Sequence, residues 1–130
     1  MPKKSLATTI ARIGLGLIFL VLGLNYFLPM FAMPPEPPPA ASFFGALAAT
    51  RYMLPLIMGT ELIGGAILLS GRMVPFALTI LAPVIVNIIG FHLFLAPAGI
   101  APGIVVAVLE LFLAWQYRGA FAPLFGGRER

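Results

Sequence analysis

Five polar residues lie within stretches of the sequence that are otherwise almost entirely apolar. Glu61 and Glu110 carry carboxyl groups, His92 carries an imidazole, and Asn25 and Asn87 carry carboxamides. An Asp, Lys or Arg side chain costs roughly 2.5–3.5 kcal/mol at the centre of a membrane-spanning helix, so an ionisable residue there is a candidate for binding or proton transfer. A protonated carboxyl could donate a hydrogen bond to a ligand carbonyl, and a carboxamide can both donate and accept. We therefore treat all five as candidate ligand-binding residues.

The depths of these residues in a membrane follow from a helical rise of about 1.5 Å per residue. Glu61 and Asn87 are expected about 12 Å below the outer surface, and Glu110 about 15 Å below it. Asn25 and His92 are expected about 5 Å from the outer ends of their helices. The five polar groups thus converge in the outer half of the membrane. This convergence predicts a shared polar pocket near Glu61, Asn87 and His92.

Small residues on the same helix faces favour an inward orientation of the two carboxyls. Gly64 and Gly65 follow Glu61 at positions i+3 and i+4, and Glu110 shares a helical stripe with Gly103. Such residues let neighbouring helices approach closely in a membrane. Interhelical hydrogen bonds, worth about 0.6–2 kcal/mol each, are the alternative role for both carboxyls. The sequence does not decide between a ligand site and helix contacts, and helix contacts are favoured for the two carboxamides.

Four apolar stretches must position these side chains, and their bounds are residues 10–28, 53–69, 73–95 and 100–117. Each is close to the length of about 20 residues with which a helix crosses a hydrocarbon core about 30 Å thick. Hydrophobic residues make up 61% of the chain and charged residues 9%, against roughly 25% charged residues in soluble domains. We predict an all-α integral membrane four-helix bundle, a single transmembrane domain over residues 1–130 whose helices run up-down-up-down.

Basic residues predict the orientation of this bundle. Arg51 lies at one set of helix ends, and the other basic residues lie at the opposite set: Lys3, Lys4, Arg12, Arg72, Arg118, Arg128 and Arg130. The positive-inside rule then places both termini in the cytoplasm. We expect a multi-pass protein of the cell inner membrane. A proline-rich outer loop at residues 33–39 joins the first two spans, where consecutive prolines favour extended backbone. Residues 43–49 are expected to form a short helix at the membrane surface.

Composition excludes several functional classes. The chain has no cysteine, which removes disulfide and thiol chemistry, and its single histidine cannot form a bis-histidine haem site. Motifs for phosphate binding, a catalytic nucleophile or zinc are absent, so we predict no metal site and no catalytic residues. The net charge of +4 arises at the span ends and does not indicate nucleic acid binding. The sequence favours a protein without catalytic activity of its own.

Three segments carry a likeness to a known family: RIGLGLIFLVLGLNYF at residues 12–27, ELIGGAILLSGR at 61–72 and APVIVNIIGFHLFL at 82–95. Together they resemble the DoxX-like family of small four-helix membrane proteins. The resemblance implies a membrane bundle, in a family named after a small subunit of a quinol-oxidising membrane complex. Glu61, Asn87 and His92 match the family pattern by position. Asn25 departs from it, since many relatives carry a basic or histidine residue there.

These observations favour a redox-associated or accessory subunit of a larger membrane complex, with an outer-leaflet pocket that contacts a quinone or a bound lipid. The alternative is a purely structural subunit whose helices stabilise a membrane assembly. A small transporter or proton conductor that uses Glu61 and Glu110 is a third interpretation, although four helices enclose little room for it. The expected partners are the lipid bilayer and other membrane subunits or further copies of the chain.

Overall fold

The computed structural model describes residues 5–126, so the orientation signals at residues 1–4 and 127–130 lie outside the described residues. Within residues 5–126 the chain is helical, without a β-strand. The α-helices are α1 (Leu6–Phe27), α2 (Pro38–Ala49), α3 (Met53–Ser70), α4 (Val74–Phe94), α5 (Ile100–Gln116) and α6 (Arg118–Phe121). A 3-10 turn at Pro97–Gly99 precedes α5, and another at Ala122–Phe125 follows α6. The all-α class is confirmed.

Four of the helices are long and apolar enough to cross a membrane. These are α1 with 22 residues, α3 with 18, α4 with 21, and α5 with its preceding turn, Pro97–Gln116, with 20. The four apolar helices that the sequence predicts are thereby confirmed. The largest difference in bounds is at α1, which begins at Leu6 and not at residue 10. Ser5 caps it by accepting a hydrogen bond from the Thr8 amide at 3.1 Å, so the helix starts within a polar segment that hydropathy leaves out.

Glycines set the closest helix contact of the bundle, between α1 and α3. At Gly23 a Cβ atom would lie 2.7 Å from the Leu62 amide nitrogen, and at Gly65 it would lie 2.5 Å from the Leu20 amide nitrogen. Both of these neighbours are backbone atoms, so the helices approach more closely than any larger residue would allow. The late part of α1 meets the early part of α3, which makes the pair antiparallel.

The other neighbouring helices are also antiparallel. Gly103, near the start of α5, lies against Ile88, towards the end of α4. Thr8, near the start of α1, donates a hydrogen bond to Gln116 Oε1 at the end of α5, at 3.1 Å. The helix α3 contacts α4 as well as α1. The four long helices therefore alternate in direction. Both described chain ends lie at one end of the bundle, which we name the termini end. The opposite end carries α2 and is named the α2 end.

An apolar core fills the space between the four long helices. Its fully buried side chains include Leu15, Phe19, Leu68, Leu81 and Leu113. The outward faces are equally apolar, with many large hydrophobic side chains exposed along every long helix. Lipid tails are as apolar as leucine, so a bundle of this kind is held together by close packing and by polar contacts between helices.

The helix α2 packs on the end of α4 through an aromatic cluster. Phe43 and Phe44 contact Phe91, with ring centroids 5.7 Å and 5.1 Å apart respectively. The expected surface helix over residues 43–49 is longer than the sequence suggests, because α2 begins at Pro38. A proline is tolerated in the first turn, where its missing N–H would have no partner in the helix.

Candidate functional site

Asn25 lies at the end of α1 and organises the loop that follows. Its Oδ1 accepts hydrogen bonds from the backbone amides of Met30, at 2.7 Å, and Phe31, at 3.0 Å. Its Nδ2 donates to the Phe31 carbonyl at 3.1 Å. Both polar ends of the side chain are thus used by a nearby stretch of backbone. The structure places Asn25 in a loop-stabilising role.

His92 lies at the junction between α4 and α5. Its Nδ1 is 3.0 Å from the carbonyl oxygen of Ile88, one turn earlier in α4. A ring nitrogen that bonds to a carbonyl must carry the proton, which leaves Nε2 as the acceptor of the neutral ring. A Cβ atom at Gly103 would lie 3.4 Å from Nδ1, so the imidazole packs directly on α5.

Glu61 is buried in α3, with 6% of its surface exposed. The neighbouring glycines lie against other helices: Gly65 against the α1 backbone and Gly64 against Leu81 of α4. This agrees with an inward orientation. In the part of the chain that the structure describes, no group forms a hydrogen bond with the Glu61 carboxyl.

Asn87 lies on the exposed side of α4 and lines a groove of about 230 Å³. The groove lies between α2, α3 and α4, and Phe43, Ile57 and Pro83 contribute to its apolar walls. The carboxamide of Asn87 has no hydrogen bond to another described residue. The structure joins none of Glu61, Asn87 and His92 to one another by a hydrogen bond, and the shared pocket stays a prediction.

Glu110 lines a larger groove of about 780 Å³ between α4 and α5. Its walls are apolar, with Ile85 and Ile89 on the α4 side and Ala107 and Leu111 on the α5 side. Glu110 is 8% exposed, and its Oε1 has no hydrogen-bond partner within residues 5–126. A buried polar atom left unpaired costs about 1–3 kcal/mol. Such an atom in a native protein calls for an explanation, and binding of a further molecule is one.

The chain that follows α5 closes the groove at the termini end. Phe121 and Phe125 line it there, together with Trp115. Arg118 also lines it, with the guanidinium carbon 4.2 Å from the centroid of the Trp115 ring and Nη1 donating to the Trp115 carbonyl at 2.8 Å. The groove therefore has a carboxyl along its wall and a cation at its rim, two residues after the end of α5.

The α4 wall of the groove contains an irregular turn. Pro83 lies inside α4 and has no N–H, so it cannot donate to the carbonyl of Thr79 one turn earlier. Thr79 lines the groove. Its hydroxyl is already used, since it donates to the Pro75 carbonyl at 2.8 Å. The groove is thus bordered by a carbonyl that lacks its helical donor.

Sequence reasoning finds Glu110 but not the other walls of this groove. A signal was available, because residues 118, 121 and 125 are spaced by three and four, as on one helical stripe. The segment is divided into a single turn of α-helix and a 3-10 turn, so the stripe is too short for periodicity to identify.

Among residues 5–126, no group of three or more His, Asp or Glu side chains could hold a metal ion. Comparisons of the chain with protein family models, with curated proteins and with solved structures give no match. The fold and the groove alone define the class: a small helical protein with four helices that can cross a membrane, and a lateral apolar groove that contains one buried carboxyl.

Proposed function

We propose that this chain is a DoxX-like integral membrane protein, a redox-associated or accessory subunit that holds a quinone-like or lipid ligand in the groove at Glu110. The observation that carries the proposal is the unpartnered Glu110 Oε1 in a cavity whose walls are mainly apolar. The redox association rests on the resemblance of residues 12–27, 61–72 and 82–95 to that family.

The size and chemistry of the groove support such a ligand. Its volume of about 780 Å³ lies within the range of roughly 300–1,000 Å³ that is typical of small-molecule sites. A quinone offers an apolar ring with a carbonyl that accepts a hydrogen bond from a protonated carboxyl, and a quinol offers a hydroxyl that donates to an ionised one. A lipid ester carbonyl can accept in the same way. Each of these ligands would satisfy Glu110 Oε1 and leave its apolar part against the groove walls.

The proposal places the ligand at Glu110, six residues before the end of α5 at the termini end. The sequence alone favours an outer-leaflet pocket near Glu61, Asn87 and His92. Among these candidates, Glu110 combines a buried unpartnered oxygen with a large cavity. Glu61 and His92 line neither of the two cavities described above.

We also propose that the protein resides in the inner membrane with both termini in the cytoplasm. Arg12 lies in the second turn of α1, Arg72 lies between α3 and α4, and Arg118 lies two residues after the end of α5, all towards the termini end. Arg51 lies two residues after the end of α2. This asymmetry supports the orientation through the positive-inside rule. The groove rim at Arg118 would then face the cytoplasmic leaflet.

The single tryptophan of the chain provides a direct test, because Trp115 lines the groove. We expect decylubiquinone, titrated into the full-length protein in detergent, to quench Trp115 fluorescence to saturation. Glu110→Leu should weaken this binding by about tenfold or more, since a buried hydrogen-bonding group left without its partner costs about 1–3 kcal/mol. Glu110→Gln keeps a donor of the same shape and should stay within a few-fold of the wild type.

Glu61→Gln is the matched control, because it alters the other buried carboxyl. It should leave the quenching curve unchanged. If Glu61→Gln reduced the quenching and Glu110→Leu did not, the ligand would lie elsewhere and the proposed site in the groove would be wrong. Native mass spectrometry tests whether the ligand is a lipid. A lipid that co-purifies with the wild-type protein should be absent from Glu110→Leu. A wild-type protein with neither saturable quenching nor bound lipid would favour the purely structural subunit.

A further inference from the structure

The exposed face of α4 carries a polar side chain that the ligand groove does not use. Asn87 lies 13 residues after the first residue of α4 and seven before the last, or about 20 Å and about 10 Å along the helix axis. In a helix that crosses a membrane, this position is inside the hydrocarbon layer. The side chain is exposed, and its carboxamide has no hydrogen bond to any residue in the described range 5–126.

Asn87 belongs to a stripe of α4 with the spacing of a helix contact face. Pro83, Asn87, Gly90 and Phe94 follow one another at intervals of four, three and four residues. Phe94 is 82% exposed, and a Cβ atom added at Gly90 would find nothing within 4 Å. The stripe has no charged residue. We name these four residues the α4 stripe.

Two properties of the α4 stripe indicate a protein neighbour. An amide that faces lipid tails without a hydrogen bond is unfavourable, because the bilayer core offers neither donor nor acceptor. Gly90 leaves room for the backbone of another helix to approach, as small residues do at helix contacts in membranes. The sequence favours helix contacts for Asn87, and within the described chain no helix supplies a hydrogen-bond partner for it.

We propose that the neighbour is a second copy of this chain, bound through the α4 stripe in a parallel homodimer. A carboxamide has both a donor and an acceptor, so two copies of Asn87 can bond to each other reciprocally. In a two-fold symmetric pair the same surface meets itself. Two copies inserted with the same topology place Asn87 at the same depth, so the amides meet without any further adjustment. A different helix would need its own polar group at that depth.

The dimer does not depend on the ligand at Glu110. None of the four residues of the α4 stripe lines the α4–α5 groove. A ligand in the smaller groove beside α2 is the competing explanation of the free amide. It predicts a monomer whose oligomeric state does not respond to a change at Asn87, so the two explanations can be separated by experiment.

Disulfide trapping in the membrane tests the contact, because the chain has no cysteine of its own. We expect full-length Phe94→Cys to form a disulfide-linked dimer when membranes are oxidised with copper phenanthroline. Leu56→Cys is the matched control: Leu56 is exposed on α3, near the same end of the bundle. It should remain monomeric under the same conditions. Equal cross-linking of both variants would indicate random collision and overturn the proposal.

Substitution of the amide tests its role. In the Phe94→Cys background, Asn87→Leu should weaken dimerisation by about tenfold, the size expected for hydrogen bonds between membrane helices. Asn87→Gln should restore most of the dimer. Thr60→Val is the control, since Thr60 lies seven residues from the start of α3 and its hydroxyl is already bonded to the Leu56 carbonyl at 2.8 Å. Unchanged cross-linking on Asn87→Leu, or an equal loss on Thr60→Val, would overturn the reciprocal amide pair.

Discussion

At the scale of single residues, the same side chain has different roles according to the backbone around it. Asn25 lies where α1 ends, and three nearby backbone groups use its oxygen and nitrogen. Asn87 lies within α4, where the backbone groups of the helix are already paired, and its carboxamide finds no partner in residues 5–126. A carboxamide at a helix end is therefore expected to be structural, and one on an exposed helix face is open to a partner.

Gly23 gives a prediction at this scale. Gly23→Ala should lower the free energy of unfolding by about 1–3 kcal/mol, because the added methyl group would clash with the α3 backbone and force the two helices apart. Titration of the detergent-solubilised protein with SDS, followed by Trp115 fluorescence, measures this change.

Gly14→Ala is the matched control on the same helix. A Cβ atom at Gly14 would meet nothing within 4 Å, so stability should stay the same or rise by up to about 1 kcal/mol through the better helix propensity of alanine. If both alanine variants unfolded at the same SDS concentration, the close approach of α1 and α3 would not be what Gly23 provides.

Part of the candidate site could be predicted from residue types alone. Glu61 and Glu110 stand out because each is a carboxyl in an apolar stretch, and the structure buries both. What could not be predicted is which of them borders a cavity. That depends on how α4 packs against α5 and on where residues 118–125 lie, and the stripe of residues 118, 121 and 125 is too short for its periodicity to identify the groove.

At the scale of elements, helix ends are held by side chains from neighbouring helices. The turn between α3 and α4 has Gly71 in the left-handed conformation, with φ of 75°. Arg12 of α1 donates hydrogen bonds from Nη1 to the carbonyls of Leu68 and Leu69 in the last turn of α3. The Leu68 carbonyl also accepts a hydrogen bond from the Gly71 amide at 3.2 Å. Carbonyls in the last turn of a helix carry partial negative charge, so a cation is well placed there.

Arg12→Gln should therefore destabilise the bundle. The expected loss in unfolding free energy is about 1.5–3 kcal/mol, the usual worth of a hydrogen bond to a charged group. Arg72→Gln removes the same charge at an exposed position in the same turn and should have an effect within about 0.5 kcal/mol. The SDS titration compares the two; equal destabilisation would mean that charge at this end, and not the carbonyl contacts, determines stability.

The aromatic cluster gives a second prediction for an element. Phe91→Ala should release α2 from α4, because Phe43 and Phe44 both pack on that ring. We expect hydrogen exchange of the α2 amides to become at least about tenfold faster, with the long helices unchanged. Phe94→Ala removes the same side chain from a position that is 82% exposed and should leave α2 protected. Equal exchange in the two variants would show that α2 does not depend on Phe91.

The fold was more predictable than the site for a physical reason. A helix that crosses a hydrocarbon layer needs a continuous apolar run, so hydropathy locates α1, α3, α4 and α5 to within a few residues. Hydropathy does not predict the start of α2 at Pro38, because a run of prolines favours extended backbone. The first turn of α2 nevertheless accommodates two of these prolines. Its position on Phe91 depends on contacts between residues distant in sequence.

At the scale of the whole molecule, the charged residues and the polar groups occupy different places. The described arginines Arg12, Arg72 and Arg118 lie at the termini end and Arg51 at the α2 end, while the buried carboxyls lie between them. The arginines at the helix ends would sit at the two membrane surfaces, and the carboxyls and Asn87 within the apolar layer. In such an arrangement the groove rim at Arg118 would face one leaflet only. Which leaflet it faces depends on the orientation of the protein in the membrane.

Single-cysteine labelling tests that orientation directly. We expect Gly126→Cys to react with a membrane-impermeant maleimide in inverted vesicles and not in intact spheroplasts, because the termini end carries most of the arginines and should remain in the cytoplasm. Ala41→Cys, exposed in α2, should show the opposite pattern. Arg51→Gln in either background should leave the labelling unchanged, since it removes a charge that opposes the predicted orientation. Labelling of Gly126→Cys in intact spheroplasts would show that the orientation is the reverse of the predicted one. The groove rim would then face the other leaflet.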